Sequence, residues 1–174
     1  DSQSAVKRIV KAMKLDEERF VPKQVSWFIA ARKDNGERPK DVDAYDPQTR
    51  KMVEIYQAYE DQCQREGVVD FAELMLRTYE LMRDNAALRE HYQHRFAHIL
   101  VDEFQDTNRL QYAWLKMFAP PGRLDHGEAQ GVFAVGDDDQ SIYAFRGAKV
   151  GNMADFEREY RVGKIIKLEQ NYRS

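Results

Sequence analysis

At 174 residues the chain is long enough for one domain, or for one domain carrying an insertion, and can bury a real core. A composition of 43% hydrophobic and 33% charged residues, with only 9 Gly and 5 Pro, excludes a disordered or fibrous chain. The net charge of -3 excludes a globally basic nucleic-acid binder, so any such role must come from a local surface; residues 1–40 hold ten Lys/Arg against six Asp/Glu.

The first half reads as helices. After Ser4, an expected N-cap, Val6, Ile9, Val10 and Met13 recur at the spacing of one helical face. Pro22 suits a first helical position, Val25, Phe28 and Ile29 form the apolar stripe that follows, and Asp34-Asn35-Gly36 ends the element as a turn. Asp46 as cap and Pro47 as first residue open a third helix with Met52, Tyr56, Tyr59 and Cys63 on one face, stopped near Gly67. Asp70 and Glu73 form a capping-box-like pair before a fourth helix, whose expected core stripe is Phe71, Leu74, Met75, Thr78 and Met82.

The pattern changes at His98. Ile99-Leu100-Val101 is a short apolar run ending in Asp102-Glu103, which predicts a strand buried on both faces, as in a parallel sheet. Leu110, Ala113, Trp114 and Met117 repeat at helical spacing behind Asp106 or Thr107 as cap. Val132-Phe133-Ala134-Val135 and Ile165-Ile166-Lys167-Leu168 predict two further strands, with Met153, Phe156 and Tyr160 marking a helix between them and residues 119–130 forming an exposed loop. Strands separated by helices imply crossovers and a parallel α/β sheet, whose ligands collect at the carboxyl ends of the strands.

The single cysteine, Cys63, excludes an internal disulfide and a thiolate metal cage and suits a reducing compartment. No apolar run approaches the roughly 18 residues of a membrane span, so the expected location is the cytoplasm, with no membrane partner. The chain opens on Asp1 rather than Met and closes on Ser174 beside a charged and aromatic cluster, and both ends read as cuts in a longer polypeptide.

An apolar strand delivering Asp102-Glu103 at its tip is what magnesium nucleotide hydrolysis requires: one carboxylate for the hydrated metal, a second to orient or deprotonate the attacking water. The plainer alternative is a pair of acidic residues capping the next helix. The continuation favours the first. Asp102-Glu103-Phe104-Gln105-Asp106-Thr107-Asn108 is similar to the Walker B segment of UvrD/Rep-type superfamily 1A DNA helicases, a DExQD pattern. Residues 136–148, Gly-Asp-Asp-Asp-Gln-Ser-Ile-Tyr-Ala-Phe-Arg-Gly-Ala, resemble the third motif of that family, and residues 168–174, Leu-Glu-Gln-Asn-Tyr-Arg-Ser, resemble its fourth.

The resemblance implies an α/β fold: part of a RecA-like (P-loop NTPase) parallel sheet at residues 85–174, with a helical insertion subdomain at residues 1–84. It implies ATP and Mg2+ as cofactors, with Asp102 on the magnesium side, Glu103 as catalytic base and Gln140 sensing the terminal phosphate. Tyr172 would stack on adenine, and Arg173 would reach the terminal phosphate and offset charge developing there. Tyr143 and Phe145 would stack on bases of single-stranded DNA, each worth about 1–3 kcal/mol, the alternative for both rings being core packing. The family usually has Trp where Phe145 stands, so a weaker grip is expected; Arg146 would bind phosphate or link the DNA and nucleotide sites. The insertion would touch duplex DNA, which gives the basic N-terminal face a purpose. Accessory repair proteins are further implied partners.

The phosphate-cradling loop G-x-x-x-x-G-K-[ST] is missing from the chain. Gly122 and Gly127 have the right separation, but Glu128-Ala129 follow where Lys-Ser/Thr should stand. The expected function is therefore one part of an ATP-dependent 3′-to-5′ DNA helicase, inactive as an isolated piece. Two rivals are a non-catalytic DNA-binding module derived from such a motor, and a carboxylate-metal nuclease using Asp102, Glu103 and Asp106.

Overall fold

In the computed structural model, residues 2–122, 131–137 and 151–167 are described. Helix α1 (Ser2–Ala12) turns Val6, Ile9 and Val10 inward, the i, i+3, i+4 set of one face. Ser4 lies inside this helix and is not its cap, because the helix already begins at Ser2. Helix α2 (Pro22–Asp34) opens on proline, which forfeits an N–H that would find no helical partner anyway, and ends as Gly36 takes a φ of 79°. After a 3-10 turn at Pro39–Asp41, helix α3 (Pro47–Glu66) begins where the Asp46 carboxylate accepts the Thr49 N–H at 2.8 Å. It stops at Gly67, whose φ of 65° is open to a residue without a Cβ. The three helices close one core around Val6, Ile9, Val10, Phe20, Val25, Ile29, Ile55, Tyr56 and Tyr59, with Met52 and Cys63 at its margin.

Helix α4 (Phe71–Asp84) is rotated from its expected face. Its buried residues are Glu73, Leu76 and Met82, whereas Phe71 is 91% exposed and Leu74 is 52% exposed. Paired charge sets this rotation. Lys33, 2% exposed at the end of α2, meets Asp70 at 2.9 Å and Glu73 at 3.0 Å, and Arg38 grips Glu73 with two N–H groups at 2.9 Å each. A buried carboxylate is tolerated only when paired, so Glu73 turns inward and carries Phe71 outward. The Asp70 side chain caps the Glu73 N–H at 2.7 Å, but the Glu73 carboxylate goes to the cations and does not reach back to close a capping box. Helix α5 (Ala86–Arg95), which the periodicity of the sequence does not announce, starts where the Asn85 side chain accepts the Leu88 N–H.

Strands β1 (His98–Val101) and β2 (Gly131–Ala134) pair in parallel, with His98 opposite Gly131 and Val101 opposite Ala134. Helix α6 (Arg109–Phe118) connects them in sequence, opening on Asn108, not on Asp106 or Thr107, because Asn108 and Gln111 satisfy each other's backbone N–H groups in a capping box. Its buried residues are Leu110, Tyr112, Leu115 and Phe118, with Ala113, Trp114 and Met117 only half-buried. Helix α7 (Asn152–Glu159) adds Phe156, and Met153 and Tyr160 pack beside it as the spacing predicts.

One face of the sheet packs through Ile99, Val101, Val132 and Ala134 on a second core of Phe104, Tyr112, Leu115 and Phe156. The other face is open, with Leu100 76% exposed and Phe133 54% exposed, so the strands are covered on one side and not both. The third expected strand is not formed at Ile165-Ile166-Lys167. These residues have no ladder partner among the described residues, Ile165 and Ile166 are exposed, and Leu168 lies outside that set. An apolar run becomes a strand only where a neighbour takes up its backbone hydrogen bonds. Helix α4 packs against both α2 and α6, and so joins the first core to the element that follows β1. Among the described residues no helix is long and apolar enough to cross a membrane.

Candidate nucleotide site at the strand tips

The carboxyl end of β1 delivers Asp102 and Glu103 side by side, both exposed. Glu103 adopts φ 50° and ψ 44°, a left-handed conformation that costs a residue with a Cβ about 1–2 kcal/mol. The turn reverses the chain at once. Its carboxylates stay at the surface while Phe104 enters the second core, fully buried, with ring centroids 5.0 Å from Phe156 and 6.0 Å from Tyr112. The Glu103 N–H donates to Asp102 Oδ1 at 2.9 Å, and the burial of Phe104 offsets the backbone strain.

A 3-10 turn over Phe104–Asp106 follows, closed by the Thr107 hydroxyl donating to the Phe104 carbonyl at 2.7 Å. The buried Asn152 amide at the start of α7 donates to the Thr107 carbonyl at 3.0 Å and to the Asn108 carbonyl at 3.3 Å, fixing this turn from the far side. The tip of β2 is stitched to the same place. The Val135 N–H donates to the Val101 carbonyl at 2.8 Å, and the Phe104 N–H returns to the Val135 carbonyl at 2.9 Å. Gln105, buried at 7% exposure, completes the seam: its Nε2 donates to Glu103 Oε2 at 2.6 Å and its Oε1 accepts the Asp137 N–H at 3.1 Å.

The structure therefore brings together Asp102, Glu103 and the start of the Gly136-Asp137 segment. Gln140, Tyr143, Phe145, Arg146, Tyr172 and Arg173 lie outside the described residues, as do Asp138, Asp139, Gly127 and Glu128. Gln105 and Gly136 are the site residues that sequence reasoning passed over. Gln105 stands inside the quoted DExQD pattern, and its placement between two loop carboxylates was the available signal.

The donor set fits a nucleotide-bound magnesium ion and not a protein-only cage. Magnesium keeps several waters and takes one or two carboxylates beside substrate phosphates, which Asp102 at an exposed tip can offer. Among the described residues no group of three or more His, Cys, Asp or Glu side chains could hold a metal ion. Asp106, the third carboxylate of a nuclease reading, has one carboxylate oxygen buried and without a hydrogen-bond partner among the described residues.

A cavity of about 230 Å3 lies elsewhere, between α3 and α4, lined by Lys33, Arg38, Glu60, Asp70 and Glu73. Its charges satisfy one another. Burial pushes the Glu73 carboxyl up, but hydrogen bonds from Arg38 and Lys33 outweigh that and hold it at about 2. Tyr59, which donates its hydroxyl to Asp70, is pushed well above its ordinary value, first by burial and then by the Asp70 charge. These groups hold the helices together and lie apart from the acidic tip.

The profile of the UvrD/REP helicase N-terminal domain matches residues 1–161. Over its whole length the chain is 47% identical to DNA helicase II of Haemophilus influenzae and 46% identical to DNA helicase II of Escherichia coli. It is 36% identical to the ATP-dependent DNA helicase PcrA of Staphylococcus epidermidis. In each case the chain spans 23% of the relative's length. A match of this extent, together with a strand tip that carries the DExQD residues, makes the chain a member of the UvrD/REP helicase N-terminal domain family.

Proposed function

We propose that the chain supplies the metal-and-water side of the nucleotide site in an ATP-dependent 3′-to-5′ DNA helicase. The observation that carries this reading is the pair Asp102 and Glu103, exposed together at the tip of a parallel strand and tied through Gln105 to the next strand tip. Asp102 would hold the hydrated Mg2+ of bound ATP, an ion that neutralises phosphate charge. Glu103 orients the attacking water and takes its proton. Gln140 and Arg173 would serve the terminal phosphate, and Tyr172 the adenine. Tyr143 and Phe145 would grip successive bases of single-stranded DNA, and Arg146 would link that grip to the nucleotide.

In this reading residues 85–174 are the returning half of a RecA-like motor domain, and residues 1–84 are its helical insertion, which contacts duplex DNA. The core closed by α1, α2 and α3 supports a helical unit within residues 1–84, which α4 joins to α6. Hydrolysis coupled to translocation would unwind duplexes in repair or replication, in the cytoplasm.

The test is single-stranded-DNA-dependent ATPase activity of the longer protein that carries this segment. Glu103→Gln keeps the size and hydrogen-bonding shape of the side chain and removes the base, so we expect turnover to fall at least about a hundredfold while nucleotide still binds. Turnover within about threefold of the unsubstituted protein would refute the assignment. The 174-residue chain alone is expected to show no magnesium-dependent ATPase activity.

A further inference from the structure

Gln105 is placed unlike an ordinary buried glutamine. Its one amide spans two loops, donating from Nε2 to the Glu103 carboxylate at 2.6 Å and accepting the Asp137 N–H on Oε1 at 3.1 Å. Gly136 is shaped to it. A Cβ at Gly136 would lie 2.7 Å from Gln105 Oε1, 2.9 Å from the Met153 methyl and 3.2 Å from the Gln105 backbone nitrogen. That glycine is required by the close approach of Gln105, since it is not among the positive-φ positions.

We propose that Gln105 is a positioning residue that sets the Glu103 carboxylate according to where the Gly136-Asp137 loop stands. The inference rests on the reading of Glu103 as the catalytic base. Among uncharged side chains of this length, only a primary amide donates at one end and accepts at the other. At 7% exposure water has little access to the Gln105 amide, so a shift of the Asp137 N–H pulls the amide oxygen, and the amide nitrogen moves with it. The Glu103 backbone is already committed to its left-handed turn, which leaves side-chain orientation as the remaining freedom of the carboxylate, and Gln105 holds it. Asp137 stands just beyond the tip of β2, so a shift of that tip reaches the Glu103 carboxylate through the Gln105 amide.

The experiment uses the longer protein that carries this segment and measures kcat and KM for ATP with saturating single-stranded DNA, together with thermal unfolding. Gln105→Glu keeps the acceptor for the Asp137 N–H but replaces the donor by a carboxylate beside Glu103. Gln105→Met conserves the volume and removes both bonds. Both variants are expected to lose about tenfold or more in kcat with KM changed by less than about threefold. Gly136→Ala, which displaces the amide, is expected to do the same.

A merely structural seam predicts something else: Gln105→Glu, with its bond to Asp137 intact, would keep kcat within about twofold. That result overturns the proposal, and so does a rise in KM that accounts for the whole loss. Should Gln105→Met fail to fold, the kcat of Gln105→Glu decides alone. Turnover that survives Glu103→Gln overturns the base assignment, and the positioning role falls with it; loss in Glu103→Gln beside unchanged turnover in Gln105→Glu overturns the positioning role by itself.

Discussion

Arg38→Met tests the claim that paired charge, and not apolar periodicity, orients α4. The Arg38 guanidinium spends all five of its N–H groups on carboxylates: two on Glu80 at 2.7 and 2.8 Å, two on Glu73 at 2.9 Å each, and one on Glu60. Met conserves the stem and removes every donor. Glu60, Glu73 and Glu80, with side chains 19%, 7% and 24% exposed, would then face one another, with Lys33 and Arg77 left as compensation for Glu73. Removing one partner of a buried charge pair costs about 3–5 kcal/mol, and water at the half-open Glu60 and Glu80 places the expected loss near the lower end, about 3 kcal/mol. In urea unfolding of the 174-residue chain at pH 7, followed by far-ultraviolet circular dichroism, the midpoint should fall by about 1.5 M for a slope of about 2 kcal/mol/M. The deficit should narrow at pH 4, because carboxylates without their cation take up protons readily. A midpoint within about 0.3 M of the unsubstituted chain, or a deficit that does not depend on pH, would refute the reasoning.

Glu73 gives a second prediction, with the sign fixed by its depressed pKa. A carboxyl lowered from an ordinary 4.5 to about 2 contributes stability that is fully present above pH 4.5 and is lost as pH falls toward 2, about 3 kcal/mol in all. Stability measured at steps through that window should fall in the unsubstituted chain, and Glu73→Gln should flatten that part of the curve; an unchanged slope would count against it. Phe104→Ala empties a fully buried ring site in the second core and should cost about 3–5 kcal/mol by the same urea titration. Because Phe104 anchors the turn that presents Glu103, the substitution should also lower DNA-dependent ATPase activity in the longer protein, and full activity would show that the turn does not need its anchor.

The sequence by itself determined the pieces whose causes are local. Pro22, Asp46-Pro47 and Gly67 mark helix limits because proline and capping geometry act within a few residues, and each boundary stands where those residues put it. The acidic tip was legible for a related reason: the apolar run Ile99-Leu100-Val101 leads directly into Asp102-Glu103, so a strand there, once paired, ends in carboxylates. Only the tertiary structure decided which face of α4 is buried, since the partners that pull Glu73 inward, Lys33 and Arg38, are distant in sequence. It also left Ile165-Ile166-Lys167 without a ladder partner among the described residues and opened one sheet face to solvent, because an apolar run becomes a strand only where a neighbour takes up its backbone hydrogen bonds. The bridge through Gln105 belongs to the same class: a residue in one motif acquires its role from an N–H thirty-two positions away, and only the parallel pairing of β1 with β2 brings the two together.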